Sequence, residues 1–245
     1  MKVATFGAAL LAALAQASDD GKCRALVLSG GSNNGAWEVG VIWGLVHYGD
    51  PKDFAWDVVS GISAGAINTG GIATWATGTE VEMTEWLSGQ WASLVNSDVW
   101  VLRDELNPIN WLLKEPSILN DDPALALLRE IVSYKGEIAR RFTVGAVDTN
   151  TGDFIAMDQT NTVFEDLAQA SLSSGSIPAV FPPQHLNGNV FMDGGTVWNT
   201  NLSSAVLQCL DMGYDTSDII VDIAICGSSH VPTEDETTKT IDNLM

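Results

Sequence analysis

The chain has 245 residues, of which 46% are hydrophobic, so it is long enough to bury the core of one domain. It carries 31 acidic and 11 basic residues, which gives a formal net charge of -20. Nucleic acid is excluded as a partner because its phosphates would be repelled, and strongly anionic surfaces are disfavoured for the same reason. No apolar run reaches the roughly 20 residues that a transmembrane helix needs.

Residues 1–17 are typical of a secretory signal peptide. Lys2 supplies a positive charge, Val3 to Leu14 form an apolar run, and Ala15-Gln16-Ala17 is a small-x-small cleavage pattern. The pattern predicts cleavage after Ala17 and a mature protein that is secreted or resides in the endomembrane lumen. A buried N-terminal helix is the alternative.

A glycine-rich loop follows the first predicted strand, whose apolar run ends at Leu28. The loop reads Gly30-Gly31-Ser32-Asn33-Asn34-Gly35, and apolar residues then recur at helical spacing over 35–48. Backbone N–H groups at such a helix start bind phosphate or an oxyanion equally well. The dinucleotide motif G-x-G-x-x-G is only half matched, and no lysine follows to make a phosphate loop. We therefore expect an oxyanion loop, with the backbone of Gly30, Gly31 and Ser32 as donors.

A candidate nucleophile lies in Gly61-Ile62-Ser63-Ala64-Gly65. The preceding run, 56–59, predicts a short buried strand, and the small residues that follow Ser63 can open a helix. This strand-turn-helix context is the one in which a G-x-S-x-G serine exposes its hydroxyl, with Gly61 and Gly65 leaving room for the sharp turn. The helix start directs its N–H groups and positive dipole end towards the charge that develops during acyl transfer.

Further strand and helix patterns alternate along the second half of the chain. Residues 141–148 and 153–157 flank a Thr-Asn-Thr-Gly turn and predict a hairpin. Helices are predicted over about 163–173 and 202–212, and a strand over 219–225. The alternation predicts an α/β fold.

An aspartate on a glycine turn ends another predicted strand, in Val190-Phe191-Met192-Asp193-Gly194-Gly195. Asp-Gly is a common turn dipeptide, so the motif alone has an ordinary structural explanation. Its position after the glycine loop and the serine favours a functional explanation for this aspartate.

Taken together, these motifs make the chain resemble the patatin-like phospholipase family from about Arg24 to about Cys226. That family combines a glycine-rich oxyanion loop, a G-x-S-x-G serine and an aspartate in a D-G-G or D-G-A turn, in this order. Residues 173–183 are similar to its A-S-x-A-I-P-x-x-F-P-P segment. The resemblance implies a three-layer α/β sandwich over 24–230, with a central, mostly parallel sheet and helices on both faces. Residues 231–245 then form a polar, acidic tail.

What the resemblance implies chemically is a lipid acyl hydrolase without a cofactor, acting on lipid at a membrane or micelle surface. Ser63 would be the nucleophile and Asp193 the base of a serine-aspartate dyad, and Gly194 and Gly195 would form the aspartate's turn. The family loop usually reads G-G-G-x-[RK]-G, whereas this chain has Ser32 and Asn34 at two of those positions. A catalytically silent storage or lipid-binding protein of the same fold therefore stays open.

A second mechanism is also open, because Ser63, Asp193 and His230 follow the chain order of an α/β-hydrolase triad. His230 lies after a predicted strand, but in a Gly-Ser-Ser-His-Val-Pro stretch typical of an exposed loop. We favour the dyad.

Three cysteines, Cys23, Cys209 and Cys226, allow one disulfide whose pairing the sequence does not decide. Their spacing is not that of a metal site, and we expect no metal.

Overall fold

The computed structural model describes residues 20–103 and 116–227. Within these ranges the strands are β1 (Cys23–Leu28), β2 (Val58–Ile62), β3 (Val101–Leu102), β4 (Leu119–Asn120), β5 (Arg141–Asp148), β6 (Phe154–Asp158), β7 (Gln184–Leu186), β8 (Asn189–Asp193) and β9 (Ile219–Ala224). The α-helices are α1 (Gly35–Tyr48), α2 (Ala64–Ile72), α3 (Glu80–Ser93), α4 (Asp122–Ser133), α5 (Leu167–Ser174) and α6 (Leu202–Asp211). The predicted signal peptide, His230 and the predicted tail lie outside the described residues.

Seven of the strands form one mixed sheet, in the order β7-β8-β5-β2-β1-β9 with β6 also paired to β5. Strands β5, β2, β1 and β9 run parallel, and β6, β7 and β8 are antiparallel to their neighbours. Every residue of β1 is buried, as expected for an apolar parallel strand that is covered on both faces. The remaining two strands, β3 and β4, pair only with each other.

Helices cover both faces of the sheet, which confirms the predicted three-layer α/β fold. Successive residues of a strand point to opposite faces, so β1 contributes to two cores. Leu26 and Leu28 belong to the larger core, which helices α1 to α5 complete. Ala25 and Val27 face the smaller core, where α6 lies across the sheet.

A disulfide joins the smaller core's strand and helix. Cys23 of β1 is bonded to Cys209 of α6, and Cys226 is a free thiol. The structure therefore decides a pairing that the sequence left open.

The predicted helix over 35–48 and the predicted hairpin are both confirmed. The helix predicted from about 163 begins only at Leu167, because residues 164–166 form a 3₁₀ turn before it. None of the helices in the described part of the chain is long and apolar enough to cross a membrane.

Candidate active site

Ser63 occupies the turn between β2 and α2. Its backbone has φ 53° and ψ -119°, a conformation that side chains rarely adopt and that costs on the order of 1–3 kcal/mol. Such strain persists only where the surrounding structure holds it in place. The Ser63 amide donates to Ser174 Oγ at 2.9 Å, and that hydroxyl donates to the Gly145 carbonyl oxygen at 2.5 Å. Ser174 thus anchors the turn to β5.

The flanking glycines allow β2 and α2 to pack closely around this turn. A Cβ on Gly61 would lie 2.1 Å from the Gly65 carbonyl oxygen, and one on Gly65 would lie 2.4 Å from the Leu28 carbonyl oxygen. Both neighbours are backbone atoms that cannot move aside. Glycine is therefore required at both positions by the contacts, as well as by the motif.

Asp193 reaches Ser63 because of the register on β5. Ile62, at the end of β2, pairs with Gly145, and Asp193, at the end of β8, pairs with the next residue, Ala146. The following residue, Gly194, packs so tightly on β5 that a Cβ there would lie 2.2 Å from the Gly145 carbonyl oxygen. Ser63 and Asp193, 130 positions apart in sequence, are thereby brought together beside adjacent residues of β5.

The Ser63 side chain lies beside the Asp193 carboxylate, near enough to favour the charged form of that carboxyl. The Gly195 N–H donates to Asp193 Oδ1 at 2.7 Å, which holds the carboxylate in its turn. Asp193 is 4% exposed and Ser63 is 7% exposed. Burial raises the pKa of the Asp193 carboxyl, and the neighbouring Ser63 side chain and Gly195 N–H act in the opposite direction.

The glycine loop lies beside the serine: a Cβ on Gly30 would be 3.0 Å from Ser63 Cβ. The Gly30 N–H already donates to the Asn199 carbonyl oxygen at 3.1 Å, so it is not available to an oxyanion in this conformation. The amides of Gly31 and Ser32 have no hydrogen-bond acceptor among the described residues. Ser32 has φ 52°, so a serine here adopts a backbone conformation that favours glycine.

A buried polar network supports the loop from below, and sequence reasoning missed it. Asn68 Nδ2 donates to the Gly35 carbonyl oxygen at 3.0 Å and to Glu38 Oε2 at 3.1 Å, and Trp91 Nε1 donates to Asn68 Oδ1 at 2.8 Å. Burial raises the pKa of the Glu38 carboxyl to about 7. The Cys226 thiol lies near this carboxyl, but its hydrogen bond goes to the Asn34 carbonyl oxygen at 3.5 Å, and Glu38 Oε1 has no hydrogen-bond partner among the described residues. The sequence signal for this network was Glu38, an isolated acidic residue in the otherwise apolar helix α1.

A cavity of about 470 Å³ opens beside Ser63 and Ser32. Its wall is mostly apolar and comes from helices α2 to α5 and the segment after α5, including Ile67, Leu87, Trp91, Leu128, Ile131 and Phe181. The arrangement therefore places Ser63, beside a buried carboxylate, and Ser32 of the glycine loop at an apolar chamber, which suits an ester that carries a hydrocarbon chain.

The other titratable candidates lie elsewhere. His47 Nδ1 is 2.9 Å from the Trp43 carbonyl oxygen in α1, and His185 is exposed on β7. No group of acidic, histidine or cysteine side chains in the described ranges could hold a metal ion.

Comparison with known proteins bears directly on this site. The family model described as patatin-like phospholipase matches residues 26–206, which is most of the chain. The chain belongs to the patatin-like phospholipase family. The matched range contains the glycine loop, Ser63 and Asp193.

No curated protein matches the chain. Among solved structures, VipD from Legionella pneumophila is similar, with 17% sequence identity and a TM-score of 0.48. The alignment covers 90% of this chain and 52% of VipD, so the chain spans about half the length of that protein.

Proposed function

We propose that this patatin-like chain hydrolyses carboxylic esters of phospholipids or related glycerolipids through a Ser63-Asp193 dyad. The observation that carries the proposal is that the register of β5 places Ser63, on a strained turn at the edge of an apolar cavity, beside the buried Asp193 carboxylate.

Asp193 is the base in the first half of the reaction. A carboxylate with an ordinary pKa near 3.9 is a weak base for a hydroxyl, but burial raises its proton affinity. Ser63 Oγ forms a bond to the ester carbonyl carbon while its proton passes to Asp193. The carbonyl oxygen becomes an oxyanion, and the amides of Gly31 and Ser32 stabilise it at the positive end of the α2 dipole.

Collapse of this tetrahedral species breaks the bond to the leaving alcohol, which takes the proton from Asp193. Water then attacks the acyl-enzyme, with Asp193 accepting its proton and returning one to Ser63 Oγ. The products are a free acid and an alcohol, and the chain is restored.

The cavity sets the substrate class. Its apolar wall buries hydrocarbon, which contributes about 0.8 kcal/mol per CH₂ group, while the ester stays at the polar end by Ser63. The net charge of -20 favours neutral or zwitterionic lipids over strongly anionic ones.

Labelling with a fluorophosphonate probe, followed by peptide mapping, tests the proposal. The expected result is one modified serine, Ser63, together with release of free fatty acid from a glycerolipid panel, and neither in Ser63→Ala. An unlabelled chain that still binds lipid would instead establish the silent storage or lipid-binding function, the alternative for which Ser32 and Asn34, in place of the family's usual loop residues, are the reason.

Secretion is part of the proposal. The predicted signal peptide supports it, and so does the Cys23–Cys209 disulfide, since disulfides persist mainly in oxidising compartments. N-terminal sequencing of the chain expressed in a secretory host should give Ser18 as the first residue; retention of Met1 in the cell would contradict it.

A further inference from the structure

Asn199 connects the two halves of the site, although nothing in the sequence motifs assigns it a role. It lies six residues after Asp193 and is separated from the glycine loop by 169 positions. Its side-chain Nδ2 donates to the Gly30 carbonyl oxygen at 3.0 Å, and its own carbonyl oxygen accepts the Gly30 N–H at 3.1 Å. Both polar groups of Gly30 are thus held by one residue.

The Asn199 carboxamide also lies next to the reacting groups. The Cβ position of Gly30 is 2.2 Å from Asn199 Oδ1 and 3.0 Å from Ser63 Cβ, so these two side chains are neighbours. The same oxygen is 2.7 Å from the Cβ position of Gly195, whose N–H holds the Asp193 carboxylate. Glycine at 30 and 195 is what makes room for this amide.

The hydrogen bond to the Gly30 carbonyl has a consequence for the next amide. Gly30 C=O and Gly31 N–H belong to one planar trans peptide, so they point in opposite directions. A donor that fixes the Gly30 oxygen therefore also fixes the direction of the Gly31 N–H. That N–H is one of the two free amides in the loop.

We propose that Asn199 is a positioning residue that aims the Gly31 amide at the oxyanion and holds the glycine loop against the turn of Asp193. This role rests on the proposed ester hydrolysis. It acts through Gly31, so it affects the transition state and leaves the binding of the acyl chain to the cavity unchanged.

The test compares kcat and KM for a short soluble ester in wild type, Asn199→Ala and Asn199→Asp. Loss of one oxyanion donor lowers kcat by about 10²–10³-fold, and a misaimed donor should cost roughly tenfold or more. We expect kcat to fall by that factor in Asn199→Ala with KM within about twofold, and fluorophosphonate labelling to slow in parallel. Val197→Ala, an exposed substitution in the same segment, is the matched control and should behave as wild type.

Asn199→Asp should show a pH dependence of kcat that a merely structural role would not produce. The ionised carboxyl cannot donate to the Gly30 oxygen, but the protonated form can. The ratio of variant to wild-type kcat should therefore rise as the pH falls towards about 4, the ordinary range of an aspartate. Wild type is measured at the same pH values, because it too loses activity as Asp193 becomes protonated.

The outcomes separate the two proposals. An active wild type with an Asn199→Ala kcat within twofold, or a loss confined to KM or to thermal stability, overturns the role of Asn199 alone. A folded wild type that neither hydrolyses esters nor reacts with the fluorophosphonate overturns the proposed function, and this role with it.

Discussion

Glu38 offers a quantitative test of how the glycine loop is supported. Its carboxyl is fully buried beneath the loop, and burial raises its pKa from an ordinary 4.5 to about 7. Glu38→Gln keeps the size of the side chain and an acceptor for Asn68 Nδ2, and it removes the ionisable group. The substitution therefore isolates the free-energy cost of the buried charge.

The size and sign of the change in stability follow from the raised pKa of Glu38. Between pH 4.5 and 7 the folded chain keeps a proton on Glu38 that the unfolded chain has lost, so the free energy of unfolding falls as the pH rises through this window. At 1.36 kcal/mol per pKa unit, the loss is about 3 kcal/mol when complete. Relative to wild type, Glu38→Gln should be of similar stability near pH 5 and more stable by about 2–3 kcal/mol near pH 8.

Guanidinium unfolding followed by tryptophan fluorescence, at a series of pH values with the disulfide intact, measures this difference. The Cys226 thiol does not titrate in the folded chain across the series, because burial and the neighbouring Glu38 raise its pKa to about 12. Glu130→Gln, an exposed substitution on α4, is the matched control and should follow wild type at each pH. A Glu38→Gln difference that is the same at pH 5 and pH 8 would refute the reasoning.

Four further substitutions or assays probe other parts of the account. Gly61→Ala places a Cβ against a backbone oxygen and should lower the free energy of unfolding by about 2–4 kcal/mol. Its control, Gly40→Ala, adds a Cβ in open space on α1 and should raise the free energy of unfolding by about 0.5–1 kcal/mol. Equal effects of the two substitutions would contradict the close packing at the turn. Ser32→Gly should raise the free energy of unfolding by up to about 1 kcal/mol because glycine adopts a positive φ without strain, and Ser32→Ala should not raise it. A gain in both variants would show that backbone strain at Ser32 is not the cause. His230→Ala should leave kcat within twofold, while a loss of a hundredfold or more would establish the triad in place of the dyad. Hydrolysis of zwitterionic vesicles should exceed that of anionic vesicles at low salt, with the gap narrowing as salt is added; faster hydrolysis of anionic vesicles at low salt would contradict the charge argument.

Sequence periodicity predicted the bounds of an element well where the residues that set those bounds lie within or next to the element. The helix over Gly35–Tyr48 has the predicted bounds, since its apolar spacing begins directly after the glycine loop. The strand predicted over 56–59 is instead Val58–Ile62; beside Asp57 the Arg24 N–H donates to the side-chain Oδ2 of Asp57 at 3.0 Å and not to a backbone oxygen. Boundaries of this kind depend on distant residues and cannot be derived from periodicity.

Long-range contacts account for what the sequence did not reveal about the site. Family resemblance paired Ser63 with Asp193, but the register that joins them lies in β5. The motif also predicted three backbone N–H donors for the oxyanion, and the structure leaves two, because the Gly30 N–H donates to the Asn199 carbonyl oxygen. That contact is visible only once the chain is folded.

The rate at which Ser63 is acylated in Asp193→Asn tests the central claim most directly. Rapid-mixing measurements with an activated ester, on a variant whose circular dichroism and melting temperature match wild type, should show a loss of about 10²–10⁴-fold, the contribution expected of a general base. Acylation within tenfold of wild type in that folded variant would contradict the dyad.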